Sequence, residues 1–244
     1  MDATIHSPKT EISSSSDIEY IDGETFNQLA KQLDMLFPTA KPFHLLEVGG
    51  GRGLYADKVL TKYPSADVTL IEPDKGVLEL NRPNNRKHLH CSLFEEHTFD
   101  QHYDIIQFNW VLHHFVANTY YETILLQQQA LRTAYDQLAD KGLVVMFENF
   151  HEGILVNNLT NEWLGSEVAS RNLDPSIRRL ITINARSAVC FHNRSTWHDM
   201  LLNAGFEVIL HVPPHSLRSL GQFSAIPTEA KQQNSGLIIA KKAN

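Results

Sequence analysis

The middle of this 244-residue chain alternates apolar runs that are typical of buried strands with segments of helical periodicity. This alternation constrains the fold more than any other feature, because it implies right-handed crossovers and a parallel sheet that helices cover on both faces. Two further apolar runs follow near the C-terminus. The seven predicted strands are Phe43–Val48, Val68–Ile71, His88–Leu93, Tyr103–Phe108, Leu143–Phe147, Phe206–Val212 and Gly236–Lys241.

Capping residues predict two helix boundaries. The helix before the fifth strand should end at Lys141-Gly142, with Gly142 in the left-handed conformation that often follows a helix. A later helix should begin at Ser195-Thr196, whose hydroxyls can cap its first amides, and run through Leu202.

Charge and composition argue against several kinds of partner. The chain has 21 basic and 28 acidic residues, a net charge of −7, and no block of Lys or Arg, so nucleic-acid binding is not expected. The apolar runs are far shorter than the roughly 20 residues that span a bilayer, and the N-terminus resembles no secretory signal. Two cysteines indicate a reduced, cytoplasmic protein. The thirteen histidines are not accompanied by a Cys pair, an H-E-x-x-H sequence or a similar metal-binding motif, so no metal is expected.

A glycine-rich segment links the first predicted strand to the next helix. Gly49, Gly51 and Gly53 follow the spacing G-x-G-x-G, with Gly50 between the first two, whereas a dinucleotide site reads G-x-G-x-x-G. Glu47 stands two residues before the first glycine, where a carboxylate would repel a pyrophosphate but suit an ammonium or sulfonium group. This combination favours S-adenosylmethionine over NAD as the ligand.

A second acidic residue supports a nucleoside ligand. Glu72, followed by Pro73, ends the second predicted strand about 20 residues after the glycine segment. A carboxylate at that position can accept hydrogen bonds from both ribose hydroxyls.

Taken together, these motifs resemble the class I S-adenosylmethionine-dependent methyltransferases. The resemblance covers roughly residues 40–150 and resumes at the Gly205-Phe206 turn. It implies a Rossmann-like three-layer α/β sandwich with a seven-stranded, mostly parallel sheet and an antiparallel last strand. It also implies methyl transfer with S-adenosylmethionine as cofactor. The segments that carry it are Glu47–Gly53, Leu70–Pro73, Tyr103–Phe115 and Leu138–Val144.

The segment after the third strand departs from the family pattern. The family often has an acidic residue there, near the adenine, whereas this chain has Ser92, Leu93 and Phe94. Ser92 is expected to supply a hydroxyl hydrogen bond, and Leu93 or Phe94 to flank the ring. Asn109 and Trp110, at the end of the fourth strand, complete the expected cofactor site.

Candidate catalytic residues also follow the predicted strands, since ligands of open α/β sheets bind beyond the strands' carboxyl ends. His113 and His114 are candidate bases because imidazole titrates near neutral pH. We expect His114 to be the active-site residue, while packing beneath the cofactor is the alternative role for either ring. Glu148, Asn149 and His151 are expected to face the acceptor.

The domain organisation follows from where the alternation breaks down. Residues 1–17 are expected to be a mobile tail and residues 18–244 a single methyltransferase domain. Residues 151–194 form a long polar and apolar mixture, expected to be a helical lid over the acceptor pocket, with Trp163 in contact with the acceptor.

Three functional hypotheses remain open at this point. The leading one is methyl transfer to the O, N or C atom of a small molecule in specialised metabolism, by a monomer or homodimer. The second keeps the cofactor but uses its charge only electrostatically, for a rearrangement or decarboxylation. The third is a non-catalytic module that senses S-adenosylmethionine.

Overall fold

A computed structural model describes residues 21–117, 119–151, 190–212 and 233–243. The predicted mobile tail, most of the predicted lid and Trp163 lie outside the described residues, as does the side chain of His151. In the part of the chain that is described, no helix is long and apolar enough to cross a membrane.

Strands and helices alternate along the described chain, as predicted. Local capping explains where two helices begin: Asp22 accepts a hydrogen bond from the amide of Thr25 at 2.8 Å, and Thr119 and Glu122 form a reciprocal capping box. The elements are α1 (Gly23–Leu36), β1 (Phe43–Val48), α2 (Leu54–Lys62), β2 (Ala66–Ile71), α3 (Lys75–Leu78), β3 (Lys87–His90), β4 (Tyr103–Asn109), α4 (Tyr120–Gln137), β5 (Leu138–His151), α5 (Arg194–Asn203), β6 (Phe206–Val212) and β7 (Gln233–Lys242).

The strands form one seven-stranded sheet in the order β3-β2-β1-β4-β5-β7-β6. Strands β1 to β5 pair in parallel, and β7 pairs antiparallel with both β5 and β6. The predicted fold class, with its antiparallel last strand, is therefore confirmed.

Two buried clusters pack on opposite faces of the sheet, because successive strand residues point to opposite sides. Leu45 joins the cluster that α1 and α2 cover, and its neighbour Leu46 joins the cluster that α4 and α5 cover. The largest fully buried side chain, that of Trp197, anchors α5 to the second cluster. These two helical layers and the sheet make the three-layer sandwich.

Both predicted capping positions need correction. Helix α4 ends at Gln137, and the left-handed residue is Lys141, with φ +65°, while Gly142 is not left-handed. Glycine is required at position 142 for a different reason, because no side chain fits there. A Cβ at Gly142 would lie 2.8 Å from the carbonyl oxygen of Asp104. Helix α5 is capped by Asn193, whose side chain accepts a hydrogen bond from the amide of Thr196 at 2.8 Å.

The register of the parallel strands brings their carboxyl ends to one edge of the sheet. Val48 at the end of β1 pairs with Ile71 of β2 and Phe108 of β4, and Asn109 pairs with Phe147 of β5. The loops that follow these strands therefore meet, and the predicted site residues that the structure describes lie in these loops or near the strand ends.

Candidate active site

The glycine segment leaves β1 in a left-handed conformation that L-residues rarely adopt. Gly49, Gly51 and Gly53 have φ of +65°, +54° and +70°. The space beside these glycines differs: a Cβ at Gly53 would overlap the Asn81 amide and one at Gly49 would overlap Val111. A Cβ at Gly51 would meet only Val77, at 3.9 Å, so this glycine borders open space.

Two residues that sequence reasoning did not identify hold this loop in shape. Asn81 donates a hydrogen bond from its side-chain amide to the carbonyl oxygen of Gly51 at 2.8 Å. Lys87, buried at the start of β3, pairs with Asp57 of α2 at 2.7 Å. Neither residue belongs to a sequence pattern, because both act through contacts that the fold brings together.

Glu72 lies next to the open side of the loop. Its carboxylate accepts hydrogen bonds from the amides of Gly51 and Asp74, both at 3.0 Å. Partial burial raises the pKa of Glu72, and these two amide donors oppose the rise. Pro73 follows it and is exposed. The strand end thus presents a half-buried carboxylate beside the glycine that borders open space.

Glu47 lies behind the loop, with only 3% of its surface exposed. Burial raises the pKa of Glu47 to about 8, although the Asn109 amide and the backbone of Ala56 oppose the rise. One carboxyl oxygen, Oε2, has no hydrogen-bond partner in the described structure. A Cβ at Gly50 would lie 3.0 Å from the carboxyl carbon of Glu47, so the loop packs directly on it.

A buried polar chain continues from Asn109 at the end of β4. Gln107 donates to the Asn109 side-chain oxygen at 2.7 Å and accepts from the Tyr55 hydroxyl at 3.0 Å. These hydrogen bonds hold the side chains of Gln107 and Asn109 in place.

These residues fit a cationic nucleoside. The open space at Gly51 leaves room for a ligand against the main chain, and the Glu72 carboxylate beside it is an acceptor for hydroxyls. Glu47 lies behind the loop, where its burial favours the neutral carboxyl, so any contribution to a cationic ligand would act through the loop that packs on it. The predicted cofactor residues Gly49 to Gly53 and Glu72 therefore border one space, with the predicted Glu47 behind them.

The segment after β3 is divided between the core and the surface. Ser92 lies 3.1 Å from Nδ1 of His97, and Leu93 is exposed. Phe94 is only 3% exposed and packs edge-on against Phe108 in the core. Of these three predicted adenine contacts, Leu93 and Ser92 remain accessible, whereas the ring of Phe94 is engaged in core packing.

Trp110 adopts the unusual φ of +48° immediately after β4. Its indole N–H donates to the side-chain oxygen of Asn149 at 3.0 Å, and its ring lies edge-on to Phe147 with centroids 4.4 Å apart. Left-handed residues other than glycine cluster at functional sites. The structure thus joins a predicted cofactor residue, Trp110, to a predicted acceptor residue, Asn149.

His113 and Glu148 form a buried pair at the same edge of the sheet. Nδ1 of His113 lies 2.8 Å from Oε2 of Glu148, whose exposure is 0%. The other carboxyl oxygen, Oε1, accepts from the amide of Leu112 at 2.9 Å. A carboxylate on Nδ1 fixes that nitrogen as the donor, which leaves Nε2 with a lone pair. This is the arrangement of an oriented general base.

His114 occupies a different environment from its neighbour. The residue is exposed overall, but its ring is partly shielded from solvent because it packs against that of His113, with centroids 4.2 Å apart. Desolvation, and then the charge of His113, hold the pKa of His114 below its usual range. Within the described residues, no group of three or more His, Cys, Asp or Glu side chains is placed to hold a metal.

The segment Cys190–Asn193, which sequence reasoning placed in the lid, borders His113. The ring of Phe191 stacks on His113 with centroids 4.7 Å apart, and the Cys190 amide donates to the His113 carbonyl oxygen at 2.8 Å. His192 forms a bridge to Phe150 of β5. No periodicity or motif in the sequence marked these contacts.

Comparisons with known proteins agree with this geometry. A family model described as a methyltransferase domain matches residues 21–211. No curated protein sequence matches the chain. Solved structures that share the fold include the mitomycin 7-O-methyltransferase MmcR, with 15% identity and a TM-score of 0.57 over 90% of this chain and 54% of that one.

Two further structures illustrate the range of similar proteins. The N-methyltransferase NodS from Bradyrhizobium japonicum WM9 has 11% identity and a TM-score of 0.57, covering 91% of this chain and 99% of its own. A structure titled as a pericyclic reaction enzyme has 12% identity and a TM-score of 0.56, covering 88% and 47%. The chain spans about half the length of most of these structures, and at such identities the similarity concerns the fold alone.

The family model spans most of the chain, from α1 to β6, and includes the glycine loop, Glu72 and the His113–Glu148 pair. The fold has the seven-stranded, mostly parallel sheet with an antiparallel last strand that the resemblance implies. The chain therefore belongs to the class I S-adenosylmethionine-dependent methyltransferases.

Proposed function

We propose that this chain transfers the methyl group of S-adenosylmethionine to a hydroxyl or amino group of a small molecule in specialised metabolism. We propose further that the protein acts in the cytoplasm, as a monomer or homodimer. The observation that carries the proposal is the buried hydrogen bond between Nδ1 of His113 and Glu148. Such a pair is of use to an acceptor that must lose a proton on methylation, as a neutral hydroxyl or amino group does.

In this proposal the cofactor supplies an activated methyl group, and the protein orients the acceptor and removes its proton. The acceptor's oxygen or nitrogen would gain the methyl group as the bond from that methyl to the sulfonium sulfur breaks and leaves S-adenosylhomocysteine, and the acceptor's proton would pass to Nε2 of His113. Glu148 then stabilises the imidazolium through the same 2.8 Å hydrogen bond. His113 is preferred over His114 because its ring is held by Glu148 and Phe191.

The acceptor would be bound between the cofactor and the residues at the end of β5. Asn149 and Trp110 supply a polar and an aromatic surface there, and His114 lies beside the base. His151 and Trp163 remain proposed acceptor contacts. An aromatic wall with few polar groups is typical of a small-molecule pocket.

The proposal can be tested with cofactor labelled in its methyl group. We expect purified protein, incubated with this cofactor and a fractionated metabolite extract, to transfer the label to a small organic product. In the same assay, labelling catalysed by this protein should fall strongly in a His113→Asn variant. Labelling by a contaminating enzyme would be unchanged. Label recovered only in macromolecules, or in no product of any fraction, would contradict the proposal.

A rearrangement or decarboxylation is the second candidate. It is favoured by the pericyclic reaction enzyme that shares this fold. Under this alternative, an extract component is converted without acquiring label and without release of S-adenosylhomocysteine. A module that only senses the cofactor would bind it and convert no component.

Replacing Glu72 tests its role in cofactor binding. Glu72→Gln keeps an oxygen that can accept from Gly51 but removes one acceptor. We expect binding of S-adenosylmethionine to weaken by about 1–3 kcal/mol, because a buried hydroxyl would be left unpaired. Calorimetric titration measures this change, with Glu79→Gln, an exposed carboxylate of the same region, as the matched control. Equal affinities in both variants would remove Glu72 from the site.

A further inference from the structure

The segment Cys190–Asn193 is attached to the rest of the protein by more than packing. The ring of His192 is 3% exposed and lies edge-on to Trp197 with centroids 5.0 Å apart. Through the amide of Cys190 and the ring of Phe191, this segment contacts His113 directly. Any movement of the segment would therefore reach the proposed base.

One side chain, that of Gln127 on α4, joins this segment to the turn that carries His113. Its amide nitrogen donates to the carbonyl oxygens of Leu112 at 3.1 Å and Cys190 at 3.3 Å. Its amide oxygen lies 2.7 Å from Nε2 of His192, which must donate because the amide oxygen can only accept. Gln127 thus bonds to the residue before His113 and to two residues of the segment that covers it.

The burial of Gln127 makes this arrangement costly to disturb. Its exposure is 0%, and an amide in the interior is stable only when its donors and acceptor are satisfied. A hydrocarbon side chain of similar size could fill the same volume. The amide is therefore explained by the three hydrogen bonds it makes, and all three converge on the surroundings of one imidazole.

We propose that Gln127 is a positioning residue for His113: it ties the Leu112–His114 turn to the segment Cys190–Asn193, so that Phe191 stays stacked on the imidazole while Glu148 holds its Nδ1. This inference rests on the proposed function, in which His113 is the base. Gln127 contacts neither the cofactor nor the acceptor, and acts only through His113.

The test compares two glutamines one residue apart on the same helix. Gln127→Met removes the three hydrogen bonds and keeps the volume, while Gln128→Met removes a bond of the same kind, at 2.8 Å to the Met200 carbonyl oxygen, that leads away from the site. The first readout is the NMR signal of the His113 ring, which carries the ring-current shift of Phe191. We expect Gln127→Met to move this signal in the direction of Phe191→Leu, and Gln128→Met to leave it in place.

The second readout is turnover of the acceptor found with labelled cofactor. Gln127→Met should lower kcat on the order of tenfold to 100-fold, since a displacement of about 1 Å can cost that much, while cofactor affinity stays unchanged. If Gln127→Met does not fold, His192→Phe removes one of the three hydrogen bonds, the one between Nε2 of His192 and the Gln127 amide oxygen, and keeps a ring against Trp197. An effect equal to that of Gln128→Met on both readouts would overturn the inference. Full activity of His113→Asn would instead overturn the proposed function.

Discussion

His113→Asn is expected to lower kcat by about 10²- to 10⁴-fold, the usual contribution of a positioned general base. The asparagine amide can take the place of Nδ1 and still donate to Glu148, so the buried carboxylate keeps a partner. It offers no basic nitrogen in place of Nε2. Folding and cofactor affinity should therefore survive, and the loss should appear in kcat, measured under saturating cofactor.

Two controls separate this effect from a general disturbance. His198→Asn changes an exposed histidine of α5, away from the strand ends, and should leave kcat unchanged. Glu148→Gln should also lower kcat, because an amide carries no charge to stabilise the imidazolium. If His114→Asn lost activity and His113→Asn kept it, the base would be His114, as the sequence alone suggested.

The sequence was sufficient to predict the fold because its signals are local. The apolar run Tyr103–Phe108 differs from the strand Tyr103–Asn109 by one residue, and alternation alone implies the parallel sheet. Strand β5 is longer at both ends, Leu138–His151, than its predicted run Leu143–Phe147. The exceptions are equally local in origin. Asn193 rather than Ser195-Thr196 caps α5, and Lys141 rather than Gly142 is left-handed, since several residues near a boundary can meet the same backbone requirement.

The sequence predicted which candidate site residues lie at the carboxyl ends of strands, but not which of their side chains contact one another. Sequence reasoning placed Glu72, His113 and Glu148 at one edge of the sheet, where the structure places them. It could not distinguish His113 from His114, because a separation of 35 positions between His113 and Glu148 gives no indication of which imidazole reaches the carboxylate. Gln127 and Phe191 were missed for the same reason, since their roles depend on contacts between segments distant in the sequence.

Gly53→Ala is expected to destabilise the protein by about 2–5 kcal/mol, combining roughly 1–2 kcal/mol for a left-handed alanine with about 1–3 kcal/mol for overpacking. Its φ is +70°, and the new methyl group would overlap the Asn81 amide and lie 3.0 Å from Nζ of Lys87. Both neighbours are buried and bonded, so neither can move freely. Such a loss is a large share of a typical stability of about 5–15 kcal/mol, and urea unfolding without cofactor should reveal it.

Gly51→Ala provides the matched comparison. Its φ of +54° imposes similar backbone strain, of about 1–2 kcal/mol, but the methyl group would meet only Val77 at 3.9 Å. The variant should therefore be more stable than Gly53→Ala and yet lose more affinity for S-adenosylmethionine, because its methyl group projects into the space that the ligand is proposed to occupy. Unfolding curves and calorimetric titration of both variants measure the two effects separately. If Gly51→Ala bound the cofactor as tightly as the wild type, the ligand would not lie against this glycine, and the open space beside Glu72 would need another occupant.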